Sequence, residues 1–202
     1  MATKTATKAD EKETTNELTT AETKQATQTK KEMEDSLLHQ FFLDGLKDMY
    51  YAEHALVSAL QNMEDAATTE ELKEAFEDHR LQTQKHILRL DKVFKLIGEK
   101  PEQKTCKAMD GLIAEGEEII KSTPEGTMTR DAALIIAAQK VEHYEIASYG
   151  GLAQLAVTMK HHKAADLLEK TLEEEEETDL DLTDIAESFI NFEAEKEKED
   201  DE

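Results

Sequence analysis

From Phe42 onward, large apolar residues recur in steps of three and four, the spacing that keeps one stripe of an α-helix turned toward a core. The first stripe, Phe42, Leu46, Met49, Glu53, Leu56 and Leu60, predicts a helix over 36–63. Thr68, with Glu71 three residues later, reads as a capping box that opens a second helix. Its stripe is Leu72, Phe76, His79, Thr83, His86, Leu90, Val93 and Ile97, and Gly98 and Pro101 stop it. A shorter helix is predicted over 104–121, ending before Pro124. The third long helix carries Leu134, Ala138, Glu142, Glu145, Tyr149, Leu152 and Ala156. The fourth, after "KHHK", carries Leu168, Leu172, Glu175, Asp179, Leu182, Ala186 and Phe189. No segment alternates with period two over a useful length, so strands are not expected. Two hairpins joined by a longer connection predict an all-α four-helix bundle over 35–192, with an extra short helix in the crossover.

Each long helix breaks its apolar stripe near the middle: at Glu53, at His79 and His86 with Gln82 and Thr83 between, at Glu142 and Glu145, and at Glu175 and Asp179. At about 1.5 Å rise per residue, antiparallel packing of the first two helices brings Glu53 and His79 to nearly one level. Folding the last two about "KHHK" sets Glu145 opposite Glu177, within a turn of Glu175 and Asp179. The interruptions then meet in one layer. Desolvating a carboxylate costs on the order of several kcal/mol, and five together repel one another. Protons, water or a cation must compensate, and divalent metals suit mixed carboxylate and imidazole ligands. Candidate ligands are therefore Glu53, His79, Gln82, His86, Glu142, Glu145, Glu175 and Asp179. Any one of them alone reads more simply as a structural polar residue, for instance one paired with Arg89. Recurrence on four helices at one height favours the metal.

Composition trims the alternatives. The chain of 202 residues has 7 Gly and 2 Pro, which suits a helical domain with tails. Residues 1–34, rich in Thr, Lys and Ala, lack apolar anchors and read as a disordered tail, and 193–202 as a solvated acidic end. A formal net charge of -23 argues against nucleic acid as a partner. No apolar run is long enough to span a membrane, and the N-terminus lacks the apolar core of a secretory signal. The single Cys106 suits a reducing compartment and reads as a buried structural thiol rather than a nucleophile. No phosphate-binding loop or Ser-His-Asp arrangement is present.

The blocks "LKDMYYAEHAL", "VFKLIG", "DAALIIAAQKVEHYEIASYGGLAQLA" and "LLEKTLEEEEETDLDLTDIA" resemble the YciF-like stress-protein family over residues 37–190. The resemblance implies a ferritin-like four-helix bundle, a cytoplasmic location, a homodimer, a role in stress responses and a metal site. Carried over by position, it points to Glu53, His79, Glu142, Glu145, Glu175 and Asp179. The second helix departs from the family pattern: "HRLQT" stands where relatives commonly read "HLEET", so Leu81 and Gln82 replace two glutamates. The fourth helix has Thr178 where a Glu-x-x-His pair would place its histidine.

Two readings follow. In the first, the layer is a carboxylate-rich centre for Fe or Mn, with one or two ions and Zn as a further option, in a stress protein with oxidative or peroxide-protective chemistry. In the second, the bundle is a non-catalytic interaction or protective protein whose polar layer holds water.

Overall fold

The computed structural model describes residues 36–198, so the expected tail over 1–34 lies outside the described residues, as do 199–202. The chain divides into a unit up to Phe41 and a body from Phe42 onward. Of the first unit only the opening turn of a helix is described, in which the Gln40 amide donates to the Ser36 carbonyl at 3.0 Å. The second unit carries everything discussed below.

Among the described residues there are only helices: α1 Leu37–Ala66, α2 Glu70–Ile97, α3 Lys107–Ser122, α4 Met128–Thr158 and α5 His162–Ile185. A π-turn, Ala186–Ile190, and a short α6, Asn191–Ala194, follow. Cross-helix bonds give the directions. Tyr50 meets Asp91 and Glu64 meets Arg80, so α1 and α2 run antiparallel. Gln139 meets Thr183 while Gly150 faces Leu172, so α4 and α5 do too. Arg89 reaches Thr171, and Glu71 and Ile185 line one groove, which makes α2 and α5 antiparallel as well. α3 lies along α1 and packs on α4, carrying the chain back to the end where α2 began. The body is the expected ferritin-like bundle with a helix in its crossover.

The predicted stripes become the core. Phe42, Leu46, Met49, Leu56 and Leu60 of α1 are buried against Leu72, Phe76, Leu90 and Val93 of α2 and Leu134, Ala138 and Ala156 of α4. Burying each large apolar side chain contributes about 1.5–3 kcal/mol, which supplies the stability that a polar layer removes. On the last helix the stripe ends one residue later than its periodicity predicts: Ile190 is buried and Phe189 only partly so. The π-turn accommodates one extra residue there and advances the stripe by one position.

The helix ends explain the loops. Gly98 takes φ 82°, and the Glu99 amide donates to Phe94 O at 2.9 Å, a Schellman ending to α2. The cap that opens α2 is Thr69 rather than the expected Thr68. Asp131, fully buried in the first turn of α4, accepts from the Thr68 amide (2.7 Å), the Thr69 amide (2.8 Å) and the Thr69 hydroxyl (2.8 Å). One carboxylate thus occupies the turn and shifts the cap by one residue. At the start of α3, Cys106 Sγ accepts from the Met109 amide at 3.3 Å. Tyr144 donates to Asp48 (2.8 Å), which leaves the Cys106 thiol, 3.0 Å away, to donate to the Tyr144 oxygen. Burial pushes the Cys106 thiol up, in keeping with a structural role. Within the acidic C-terminal stretch, Glu197 accepts from the amides of Met128 (2.7 Å) and Thr129 (2.9 Å) at the start of α4. Burial acts against charge on its carboxyl, but the Thr129 hydroxyl (2.7 Å) and then these two amides hold it below the usual range.

Asp131→Ala removes three hydrogen bonds from buried or half-buried donors at the junction of α2 and α4, two of them backbone amides. We expect a loss of about 3 kcal/mol in urea unfolding, since an orphaned buried donor costs about 1–3 kcal/mol. A loss below about 1 kcal/mol would show that water replaces the carboxylate there.

Candidate metal centre

Four helices send polar side chains into one buried layer. Six of the eight predicted residues come together there, in two sets whose ligand atoms lie within 4.8 Å of one another: His79, Glu142, Glu145 and Glu175, and Glu53, His86 and Glu175. Glu175 belongs to both. Each reaches the layer because the apolar step of three or four places it there: Glu53 between Met49 and Leu56, Glu142 and Glu145 between Ala138 and Tyr149. Glu53, His86, Glu142, Glu145 and Glu175 are fully buried and His79 is nearly so.

The other two residues lie outside both sets. Gln82 lines a groove between α2 and α5, beside His79. Asp179 is half-buried, and its Oδ1 lies 3.4 Å from His143 Nε2 at the edge of the layer.

The two sets are built differently. On one side, His86 Nδ1 faces inward, 2.9 Å from Glu175 Oε1 and 3.7 Å from Glu53 Oε1. Its Nε2 lies 2.9 Å from Glu174 Oε2, and Arg89 grips Glu174 with both terminal nitrogens (2.8 and 2.9 Å) while donating to Thr171 (2.7 Å). Tyr149 donates to Glu53 Oε1. On the other side, His79 Nδ1 lies 3.3 Å from Glu142 Oε1, and His79 Nε2 lies 3.8 Å from Glu175 Oε2. Both nitrogens of His79 and all four carboxylate oxygens of Glu142 and Glu145 lack hydrogen-bond partners among the described residues.

Protonation follows burial. Desolvation pushes Glu53 up to about 8, with His86 opposing that rise and Glu175 adding to it. Burial and then the neighbouring carboxylates hold Glu142 and Glu145 well above the usual range. Burial lowers His79 to about 4, which keeps it neutral. Burial also acts against charge on His86, but Glu175, Glu53 and Glu174 together raise it. Glu174, half-exposed, is held down at about 2; burial opposes this, and Arg89 and His86 outweigh burial. Burial and then Glu53 raise the Tyr149 hydroxyl well above its usual value, so it stays a donor.

Stripe periodicity treats Tyr149 as an apolar core residue, yet its hydroxyl fixes one oxygen of Glu53. The signal was available, because a buried tyrosine hydroxyl needs an acceptor. Glu174, in the run Glu173–Glu177, contributes through the α2–α5 interface, and the expected bridging role of Arg89 is fulfilled on it.

The profile of the family described as "Domain of unknown function (DUF892)" matches residues 37–195, and the chain belongs to that family. It is 48% identical over 159 residues to Protein YciF of Escherichia coli (strain K12), covering 78% of this chain and 95% of that protein. The crystal structure of the E. coli stress protein YciF superposes with a TM-score of 0.74 at 46% identity, over 77% of this chain and 98% of that one. YcfI from Rhodopseudomonas palustris, described as a structural protein, gives 0.71 at 39% identity, over 73% and 94%. A protein from Xanthomonas campestris at 20% identity, with a TM-score of 0.61, shares the fold.

The shifts set a pH dependence for protein stripped with chelator. Glu53 titrates near 8 when folded against 4.5 as a free side chain, so the stability tied to its protonated form is full below 4.5 and lost as pH rises through about 8. Glu142, Glu145 and His86, all raised, act in the same sense. His79 acts oppositely: its contribution is present above 6.5 and lost as pH falls through about 4. The melting temperature should therefore fall between pH 6.5 and 8, and Glu53→Gln should flatten that fall. A flat wild-type curve over this range would contradict the buried protons.

Proposed function

We propose that the layer is a divalent metal centre able to hold up to two ions, with Glu175 common to both ligand sets, in a protein of the stress-protein family to which YciF belongs. The observation that carries the reading is the donor set. Four buried carboxylates and two buried imidazoles converge in two sets that share Glu175, the ligand atoms of each set within 4.8 Å of one another, and six polar atoms, on His79, Glu142 and Glu145, have no hydrogen-bond partner among the described residues. Groups of this kind are costly to bury unpaired. Two divalent cations balance four carboxylates in charge, and mixed oxygen and nitrogen donors suit Fe, Mn or Zn. The residues present therefore fit the group.

Glu53 and His86 would hold one ion, His79, Glu142 and Glu145 the other, with Glu175 between them. Iron in such a site, when bound, supplies one-electron exchange with oxygen or peroxide. The chain's own residues orient and protect. With an ion bound, the Glu174 carboxylate would accept the Nε2 proton of His86 and leave the Nδ1 lone pair to the ion, the arrangement that fixes a metal-binding imidazole. Arg89 keeps Glu174 ionised for that task. Tyr149 turns Glu53 and keeps its own proton. The surrounding apolar side chains exclude bulk water.

Glu175→Gln keeps the shape of the one side chain common to both sets and removes its charge. Protein loaded anaerobically with Fe(II) or Mn(II), desalted and analysed by elemental analysis, should hold one to two ions per chain. The variant should fall below about a tenth of that with an unchanged helical circular-dichroism spectrum, because both sets lose a ligand. Wild-type protein that binds no ion, or a variant that binds as much as wild type, would overturn the reading in favour of a layer compensated by protons alone.

A further inference from the structure

We propose that the groove between α2 and α5 is the route by which a hydrated divalent cation reaches the buried layer, with His79 the first protein ligand it meets. The proposal rests on the metal-centre reading and adds to it a path and a direction.

The groove has a volume of about 360 Å³. An ion with six waters, each occupying about 30 Å³, needs about 180 Å³, so it enters with its hydration shell. Glu71, Glu74 and Asp78 line the groove from α2, and Asp181 and Asp184 line it from α5, all of them exposed. No lysine or arginine lines it, and among the described residues none of the five carboxylates is in an ion pair, unlike the neighbouring Glu70 and Glu77, which face Lys73 and Arg80. A cleft lined by one sign of charge concentrates counter-ions and speeds their arrival about 10- to 1000-fold.

An acidic cleft alone would say only that the surface is solvated. The second observation is its inner wall. His79 lines the groove, is 3% exposed, and has neither ring nitrogen hydrogen-bonded among the described residues. The same ring lies 3.3 Å from Glu142 and 3.8 Å from Glu175, so one imidazole faces the groove and the buried carboxylates together.

Gln82 and Thr178 also line the groove, one turn beyond His79 and Glu175 respectively. They offer an amide and a hydroxyl, which replace waters of hydration without adding charge, whereas a carboxylate at that depth would hold the ion short of the layer. The neutral residues at these two positions, departures from a Glu- and His-bearing pattern, therefore suit passage. Two other cavities do not suit it. One between α1, α3 and α4 is mainly apolar and about 20 Å³, and one of about 460 Å³ near Arg130 touches none of the six layer residues.

Stopped-flow binding of Co(II), followed by its ligand-field absorbance, tests the path. In one variant the groove is neutralised by Glu74→Gln, Asp78→Asn, Asp181→Asn and Asp184→Asn. In the other, the same charge is removed on and just after α3 by Glu115→Gln, Glu117→Gln, Glu118→Gln and Glu125→Gln. The groove variant should reach wild-type stoichiometry but load about tenfold more slowly, with a flattened dependence on ionic strength, while the α3 variant stays within about twofold of wild type. Equal rates in all three proteins, or equal slowing in both variants, would overturn the route while leaving the centre standing. Loss of stoichiometry in the groove variant would overturn it too, by making those carboxylates ligands. Wild type that takes up no Co(II) at equilibrium would overturn the centre itself and the route with it.

Discussion

Four buried carboxylates, Glu175 and the three gathered around it, with no lysine or arginine in either ligand set, set the terms for the rest of the molecule. Unpaired, each would cost on the order of several kcal/mol, more than one well-buried leucine returns. The bundle carries the layer because apolar layers flank it, with Phe42, Leu46 and Phe94 toward one end and Leu60, Leu72 and Leu134 toward the other. In the metal-free layer charge is settled locally: burial favours protons on Glu53, Glu142 and Glu145, while Glu175, Glu53 and Glu174 favour charge on His86 against its burial. The tight junctions elsewhere, such as Asp131 capping α2 from α4, fix the helix heights at which these residues meet.

The layer is not equally prepared on its two sides. The His86 side is fixed by a chain of bonds running from Thr171 and Arg89 through Glu174 to the imidazole, and by Tyr149 on Glu53. The His79 side has no such hydrogen bonds among the described residues: its imidazole only approaches Glu142 and Glu175, and the Glu142 and Glu145 carboxylates accept none. A supported ligand set pays its ordering entropy in folding, and an unsupported one on binding. That difference places the adaptable half next to the groove and the preorganised half away from it.

Helices and their facing stripes were legible because the step of three and four is a property of each segment alone. The same arithmetic placed Glu53, Glu142, Glu145, Glu175 and both histidines in the seam. It was less sharp at positions slightly off the axis of the stripe. Gln82, about 60° behind His79 around the helix, turns into the groove, and Asp179, about 40° ahead of Glu175, turns toward His143. Periodicity also could not see contacts that need a partner helix. The acceptance of the Thr68 and Thr69 amides by Asp131, and the bond from Tyr149 to Glu53, join residues more than sixty positions apart. The stripe shift at Ile190 belongs to a π-turn, which no step of three or four announces.

The two departures on α2 and α5 take on a different meaning once the helices are in place. A ferritin-like carboxylate centre draws one Glu from each of two helices and a Glu-x-x-His pair from each of the other two, four carboxylates and two imidazoles in all. Here α2 contributes only imidazoles, His79 and His86, α4 contributes Glu142 and Glu145, and α1 and α5 contribute Glu53 and Glu175. The donor total is the same with a different distribution. What Gln82 withholds from α2, the second glutamate of α4 restores, and the histidine absent at Thr178 is matched by the second histidine of α2. Because α2 faces α5 antiparallel, both imidazoles meet the single carboxylate of Glu175, which explains why that residue, rather than Glu142 or Glu53, is common to the two sets. The proposed centre would depend on the α2–α5 interface more than on any one helix, and that interface is also where the groove runs.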